Sequence, residues 1–189
     1  MKRLLTEAEL DAFLEDGCTY PDFPKPGVKF IDIFPLLRHT RLKELEGFQV
    51  NEPIILVPES RGFIFAHSLG IDKVVFLRKA GKLPGNVLKI PSHTEYSANP
   101  LYVQQCALED FLRRNPDNGR PLEVYFFDDV LATGATAVSV KKFIDNLEIG
   151  GRRFRLSGCG FYLAIKALDG VGFIHRHYPD LPVEIVYSH

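Results

Sequence analysis

Residues 53–58, PIILVP, form an apolar run with no polar interruption. A strand with one wet face alternates apolar and polar residues, so an unbroken run of this length predicts a strand buried on both faces. Two further strands are expected. They are Lys73–Leu77 (KVVFL) and Leu122–Phe127 (LEVYFF), the latter the strongest strand in the chain. Helix-forming segments lie between and after them: Arg61–Leu69 behind a Ser-Arg-Gly turn, Ala107–Arg114 ended by Asn115-Pro116, and the amphipathic Ala135–Leu147. Later strands are expected over Phe154–Tyr162 and Val183–Tyr187. The alternation predicts an α/β fold, a mainly parallel sheet flanked by helices.

Two regions stand outside that alternation. At the N-terminus, Thr6-x-x-Glu9 has the form of a capping box, and Leu10, Phe13 and Leu14 continue at helical spacing, so a helix over about 6–16 is expected, stopped by Gly17. It leads into YPDFPKPGVKFIDIFPLL, whose prolines exclude a long helix. This hood segment, about 18–37, should be extended, with a short strand near Val28–Ile33, followed by one or two helical turns over 39–47. The second region is a hairpin, Asn86–His93 paired with Leu101–Gln105, around a polar loop; about 86–105 is expected to be flexible. The 189 residues suit one domain over 1–189.

Composition removes several functions. Hydrophobic residues are 46% of the chain and the formal net charge is −1, so there is a sizeable core and no basic field for nucleic acid. No apolar run approaches the roughly 20 residues that span a bilayer. Cys18, Cys106 and Cys159 are far apart, without metal-like spacing, which fits reduced thiols in a cytoplasmic protein. His175 and His177 would share a face of a strand, but no cysteine or acid at metal spacing accompanies them, and no protein-held metal is expected.

The chemistry concentrates in FFDDVLATGATAV, residues 126–138. Open parallel sheets bind ligands at the carboxyl ends of their strands. Asp128 and Asp129 are placed at such an end, and Ala132-Thr133-Gly134-Ala135-Thr136 then enters a helix, baring backbone amides at the positive end of its dipole. Acids repel phosphate but accept hydrogen bonds from sugar hydroxyls. The segment therefore reads as a ribose phosphate site, diol on the acids and phosphate on the loop; the plain alternative is a glycine turn between strand and helix. It is neither a P-loop nor a dinucleotide fingerprint: Gly81-Lys82 is followed by Leu83, and Gly158-Cys159-Gly160 lacks a third glycine. Glu59-Ser60-Arg61-Gly62 follows a buried strand, and its amides, the Ser60 hydroxyl and the Arg61 charge suit pyrophosphate. Arg78, Lys79 and Lys82 put three cations within five residues, either solvated surface or a second anchor for that polyanion.

FFDDVLATGATA resembles the signature by which type I phosphoribosyltransferases bind 5-phosphoribosyl 1-pyrophosphate (PRPP). FPKPGVKFIDI, ESRGFIF, LRKAGKLPG and TEYS resemble the adenine phosphoribosyltransferase family, in that family's order. Phe154–Gly170 matches more loosely, and the N-terminal helix and insertions near 111–121 fall outside the match. The resemblance implies the type I phosphoribosyltransferase fold and the transfer of a phosphoribosyl group from PRPP to adenine, giving AMP and pyrophosphate. Mg²⁺ would be held mainly by pyrophosphate oxygens and water. A homodimer is implied, because the Arg78–Lys82 arm would reach a neighbouring subunit's site. Glu95 would handle a proton of the purine and Tyr96 would cover the reacting centre from the loop His93–Ser97. Backbone around Ile31, with Lys29, Phe30 and Ile165, would form the adenine pocket. The resemblance also implies a cis peptide at Glu59–Ser60. Two departures stand out: Ala135 replaces a usual second glycine, costly only where φ is positive, and the segment between Leu37 and Pro53 is short.

Other readings are a 6-oxopurine substrate, for which Lys166 is the candidate reader, a non-catalytic PRPP-binding regulator, and a plain interaction domain. The last leaves DDVLATGAT without a purpose.

Overall fold

The computed structural model describes residues 6–23, 26–27, 29–39, 50–91 and 100–189. The chain opens with α1 (Glu7–Glu15), started by the expected box: the Glu9 amide donates to Thr6 Oγ1 at 3.2 Å, and the Thr6 amide donates to Glu9 Oε2 at 2.8 Å. Leu10 and Leu14, four residues apart on one face, are buried. Next come β1 (Thr19–Tyr20) and β2 (Phe30–Ile31), a small antiparallel pair, and α2 (Phe34–His39). A helix beginning at Phe34 departs from the extended segment expected through residue 37. Pro35 falls in its first turn, where the missing amide costs nothing. The turns expected over 39–47 lie, apart from His39, outside the described residues.

Then follow β3 (Ile54–Pro58), β4 (Val74–Lys79), β5 (Val87–Ile90), β6 (Leu101–Gln104), α3 (Gln105–Arg114), β7 (Leu122–Leu131), α4 (Ala135–Asp145), β8 (Glu148–Ile149), β9 (Arg152–Ala164), α5 (Gly170–His177) and β10 (Val183–Ser188). The sheet order is β10-β9-β7-β3-β4-β6-β5, with β8 added antiparallel to β9. From β10 to β4 every pairing is parallel; β6 and β5 return antiparallel as the expected hairpin.

All five residues of β3 are buried, as PIILVP requires. Ile54 and Leu56 point into one core, with Val124, Phe126, Leu108 and Ile144; Ile55 and Val57 point into the other, with Tyr125, Phe127, Phe65 and Leu14. Each such side chain contributes about 1.5–3 kcal/mol relative to its exposed state. Among the described residues no helix is long and apolar enough to cross a membrane.

Three expectations are corrected. Arg61–Leu69 is not a regular helix; a 3₁₀ turn covers Arg61–Phe65 only. The strand expected to end at Phe127 runs to Leu131, because β9 continues beside it and pairs Asp128 with Phe161 and Val130 with Leu163. His175 and His177 lie on α5, where residues two apart do not share a face. His177 Nδ1 lies 2.9 Å from the Phe173 carbonyl and His175 Nε2 lies 3.1 Å from the Leu181 carbonyl.

Candidate active site

The acid pair is set by β7. Asp129 is buried at 6% exposure and Asp128 is half-buried beside it. Asp128 Oδ1 accepts the Asp129 amide at 2.8 Å. Burial, and then the neighbouring Asp129 charge, push the Asp128 carboxyl well above the usual carboxylate range, against a smaller opposing pull from Arg61. Asp129 faces that arginine, with Arg61 Nε 2.6 Å from Oδ2. The contact is ionic rather than aligned, since Oδ2 is buried without a hydrogen bond of good geometry.

The next five residues form an open cradle. Gly134 caps α4 with φ 80°, a left-handed conformation, and no side chain caps the helix amides. Thr133 and Thr136 are exposed, and Ala132 and Ala135 half-exposed. Ala135 is the first residue of α4 and is not among the positive-φ residues, so its methyl costs nothing there.

A second loop closes on the acids from β3. The Glu59–Ser60 peptide is cis. Gly62 packs so closely that a Cβ would lie 2.9 Å from Val57 Cγ1 and 3.5 Å from Asp128 Oδ1. This close approach seats Arg61 beside Asp129. The Arg61 guanidinium also lies 5.7 Å from the Phe30 ring centroid, bridging acid pair and hood. Ser60 is exposed. Glu59 and Arg78, both expected on pyrophosphate, pair with each other, and Glu59 Oε1 also accepts the Lys79 amide at 2.9 Å. Burial raises the Glu59 pKa, but the Arg78 and Lys79 hydrogen bonds and charges outweigh it and hold the carboxyl below its ordinary value. Lys79 and Lys82 are exposed, with no ion pair among the described residues.

In the hood, Phe23 meets Phe30 edge-on with centroids 5.1 Å apart. Ile31 is buried and Lys29 exposed. Ile165 packs on the core that contains Ile31, and its amide donates to the Leu131 carbonyl at 3.0 Å, tying the end of β9 to the end of β7. Glu95 and Tyr96 lie outside the described residues; β5 and β6 carry their loop. Among the described residues no group of three or more His, Cys, Asp and Glu could hold a metal. The sequence motifs contain Phe23 and Gly62 but do not mark Phe23 as the brace of Phe30 or Gly62 as the close-packed position of its loop. Their signals, an aromatic among prolines and a glycine directly after a buried strand and a charged turn, are faint without the packing.

The comparisons with known proteins agree with this geometry. The adenine phosphoribosyltransferase of Prochlorococcus marinus (strain MIT 9303) is 38% identical over 175 residues, covering 87% of this chain and 89% of the relative. That of Nitrosopumilus maritimus is 32% identical over 168 residues, covering 84% and 90%. The crystal structure of the adenine phosphoribosyltransferase from Thermoanaerobacter pseudethanolicus superposes with a TM-score of 0.71 at 26% identity, over 97% of this chain and 100% of that one. The Giardia lamblia enzyme, complexed with 9-deazaadenine, gives 0.68 at 28% identity, over 98% of each chain. No family model matches the chain. With relatives above 30% identity along most of its length and one architecture throughout, the chain belongs to the adenine phosphoribosyltransferase family.

Proposed function

We propose that this protein transfers the 5-phosphoribosyl group of PRPP to adenine, giving AMP and pyrophosphate in purine salvage, with its residues in the following roles. The observation that carries the reading is the single strand-loop-helix unit holding both a sugar-binding acid pair and a bare-amide cradle, faced by Arg61. The ribose hydroxyls donate to Asp128 and Asp129. The 5′-phosphate rests on residues 132–136, where amides, hydroxyls and the helix dipole favour an anion. Pyrophosphate meets the Ser60 and Arg61 loop, with Lys79 and Lys82 of the neighbouring subunit at its outer side. Arg61 leaves Asp129 for the phosphates as the diol arrives, so each charged group exchanges one partner for another instead of being stripped bare.

As the C1′–oxygen bond lengthens, the ribose gains positive charge beside two carboxylates fixed in advance, and that stabilisation grows towards the transition state. The bond to adenine N9 forms, and the electron pair of the broken bond leaves with pyrophosphate. Glu95 receives or relays the proton from the purine, and Tyr96 closes over the centre to exclude water. Phe30, Ile31, Lys29 and Ile165 frame the base. Two hard carboxylates beside a phosphate site, without a larger donor cluster among the described residues, suit Mg²⁺ carried by substrate and water; when bound, the ion would supply charge neutralisation and orientation of pyrophosphate. Glu59 orders the basic arm by holding Arg78.

A homodimer is part of the proposal, with Lys79 and Lys82 reaching the neighbouring subunit's pyrophosphate. Sedimentation should show a dimer, and a mixture of Asp129→Asn and Lys82→Ala subunits should regain activity that neither has alone; a monomer, or no recovery, would contradict it. The three free thiols, two of them buried, suit the reducing cytoplasm. For 6-oxopurines the candidate reader is Lys166. It lies on an exposed turn, its amide donates to the His189 carbonyl at 2.6 Å, and its charge acts on Asp11 of α1, which favours adenine. The test is an initial-rate assay of adenine, hypoxanthine, guanine and xanthine with PRPP and Mg²⁺, with and without EDTA. Product is expected from adenine alone and is lost with EDTA; turnover of hypoxanthine or guanine at a comparable rate would reassign the substrate.

A further inference from the structure

The cradle is backed by a helix that the expected site does not include. α5 begins at Gly170, and its first turn lies against the rear of loop 132–136. A Cβ at Gly170 would collide with the Ala132 carbonyl oxygen and sit 2.8 Å from Leu131 Cγ and Cδ1. A Cβ at Gly134 would in turn sit 2.6 Å from the Gly170 carbonyl oxygen and 3.0 Å from Ile174 Cγ1. Gly134 thus leaves room for the Gly170 carbonyl, and Gly170 leaves room for the Ala132 carbonyl and the Leu131 side chain, so loop and helix pack backbone against backbone. Ile174, fully buried, completes the backing below them. Gly170 has no positive φ, so this is a demand of space and not of backbone conformation. Leu131 is held from a further side by the Ile165 amide.

We infer that Gly170 is a positioning residue for the phosphoribosyl substrate: its missing side chain lets α5 clamp the loop, so that the amides of 132–136 are aimed before the phosphate arrives. Donors fixed in advance bind an anion without the cost of ordering a loop. A methyl at 170 forces back either the Ala132 carbonyl or α5, and both motions turn the amides. The inference rests on reading 132–136 as the 5′-phosphate site.

Gly172, two residues along the same helix, supplies a matched control. The three atoms nearest a Cβ there all belong to the carboxylate of Asp169, the end of an exposed side chain paired with Arg176, so a side chain and not backbone has to give way. Gly170→Ala is expected to raise KM for PRPP at least about tenfold, equivalent to 1.4 kcal/mol of binding, and to weaken calorimetric binding of ribose 5-phosphate by a similar factor. KM for adenine should stay within about twofold, the resolution of such comparisons. Gly172→Ala should leave both constants near wild type. An unchanged KM for PRPP in Gly170→Ala, or an equal rise in Gly172→Ala, overturns the inference. Thr133→Ala/Thr136→Ala tests the underlying reading separately: if that double variant binds ribose 5-phosphate as well as wild type does, the cradle itself is misassigned. Hydrogen exchange on the wild type covers the case in which Gly170→Ala does not fold. Ribose 5-phosphate should slow exchange in Gly170–Ile174 together with 132–136 and leave α3 unaffected, and slowing confined to the loop contradicts a clamp.

Discussion

Asp128 and Asp129 sit one peptide apart at the end of β7, and their charges oppose each other. Neutralising Asp129 relieves that repulsion but removes the partner of Arg61, an ion pair that is partly exposed on the arginine side. Each effect is on the order of 1 kcal/mol. Asp129→Asn should therefore move Tm by no more than about 4 °C, while kcat falls by about 100-fold or more, the usual loss when a fixed transition-state electrostatic partner is removed; melting and steady-state assays on one preparation check both. The raised Asp128 pKa has a stability signature of known sign. An unfolded aspartate ionises near about 3.9. From there up to the folded value, the folded state holds a proton that the unfolded chain has released, so stability falls as pH rises through that window. The charges facing Asp128 are Asp129 and Arg61. Urea unfolding of the ligand-free protein from about pH 4 upwards should show wild type losing stability relative to Asp128→Asn. Parallel curves would mean that the carboxyl is not raised.

α4 and α1 show what single helix positions contribute. Because Ala135 is the first helical residue, restoring a glycine gains no conformational freedom that the site uses. Ala135→Gly should leave kcat/KM within about twofold and lower stability by up to about 1 kcal/mol; a several-fold gain in activity would show that the methyl obstructs the cradle. Thr6→Ala removes one half of the α1 capping box and should cost about 1 kcal/mol, read by urea unfolding, with kinetics unchanged. The elements differ in how far the sequence announces them. β3 and the capping box are legible because one local rule decides each: a continuous apolar run, and a hydroxyl three residues before a glutamate. The last third of β7 is not, since Asp-Asp is a poor strand sequence and only the neighbouring β9 holds it extended. α5 is hidden by Gly170 and Gly172, each costing a helix about 1 kcal/mol relative to alanine; packing on α4 decides its structure. The Arg61–Asp129 and Glu59–Arg78 pairs join residues 68 and 19 positions apart, and no local pattern distinguishes them from solvated charges.

Across the molecule, the site segments share one topological address. Glu59–Gly62 follows β3, Arg78–Lys82 ends β4, the acid pair and cradle end β7, and Ile165 follows β9. All four strands are parallel in the sheet, so their carboxyl ends open on one edge, where α/β proteins bind ligands. The sequence motifs identified these segments singly; their convergence is a property of strand order. A ligand that bridges them should stabilise the whole fold: PRPP with Mg²⁺ at about 100 times its Kd should add about 2.7 kcal/mol, raising Tm by roughly 5–10 °C, whereas inorganic phosphate spans fewer segments and should raise it less at equal occupancy. The most direct measurement is a crystal structure of the protein with AMP. The ribose hydroxyls should lie at hydrogen-bond distance, about 2.5–3.0 Å, from the carboxylates of Asp128 and Asp129, with the phosphate on the amides of 132–136. A phosphate seated on Arg61 and Lys79, with the acid pair still closed on Arg61, would contradict the account.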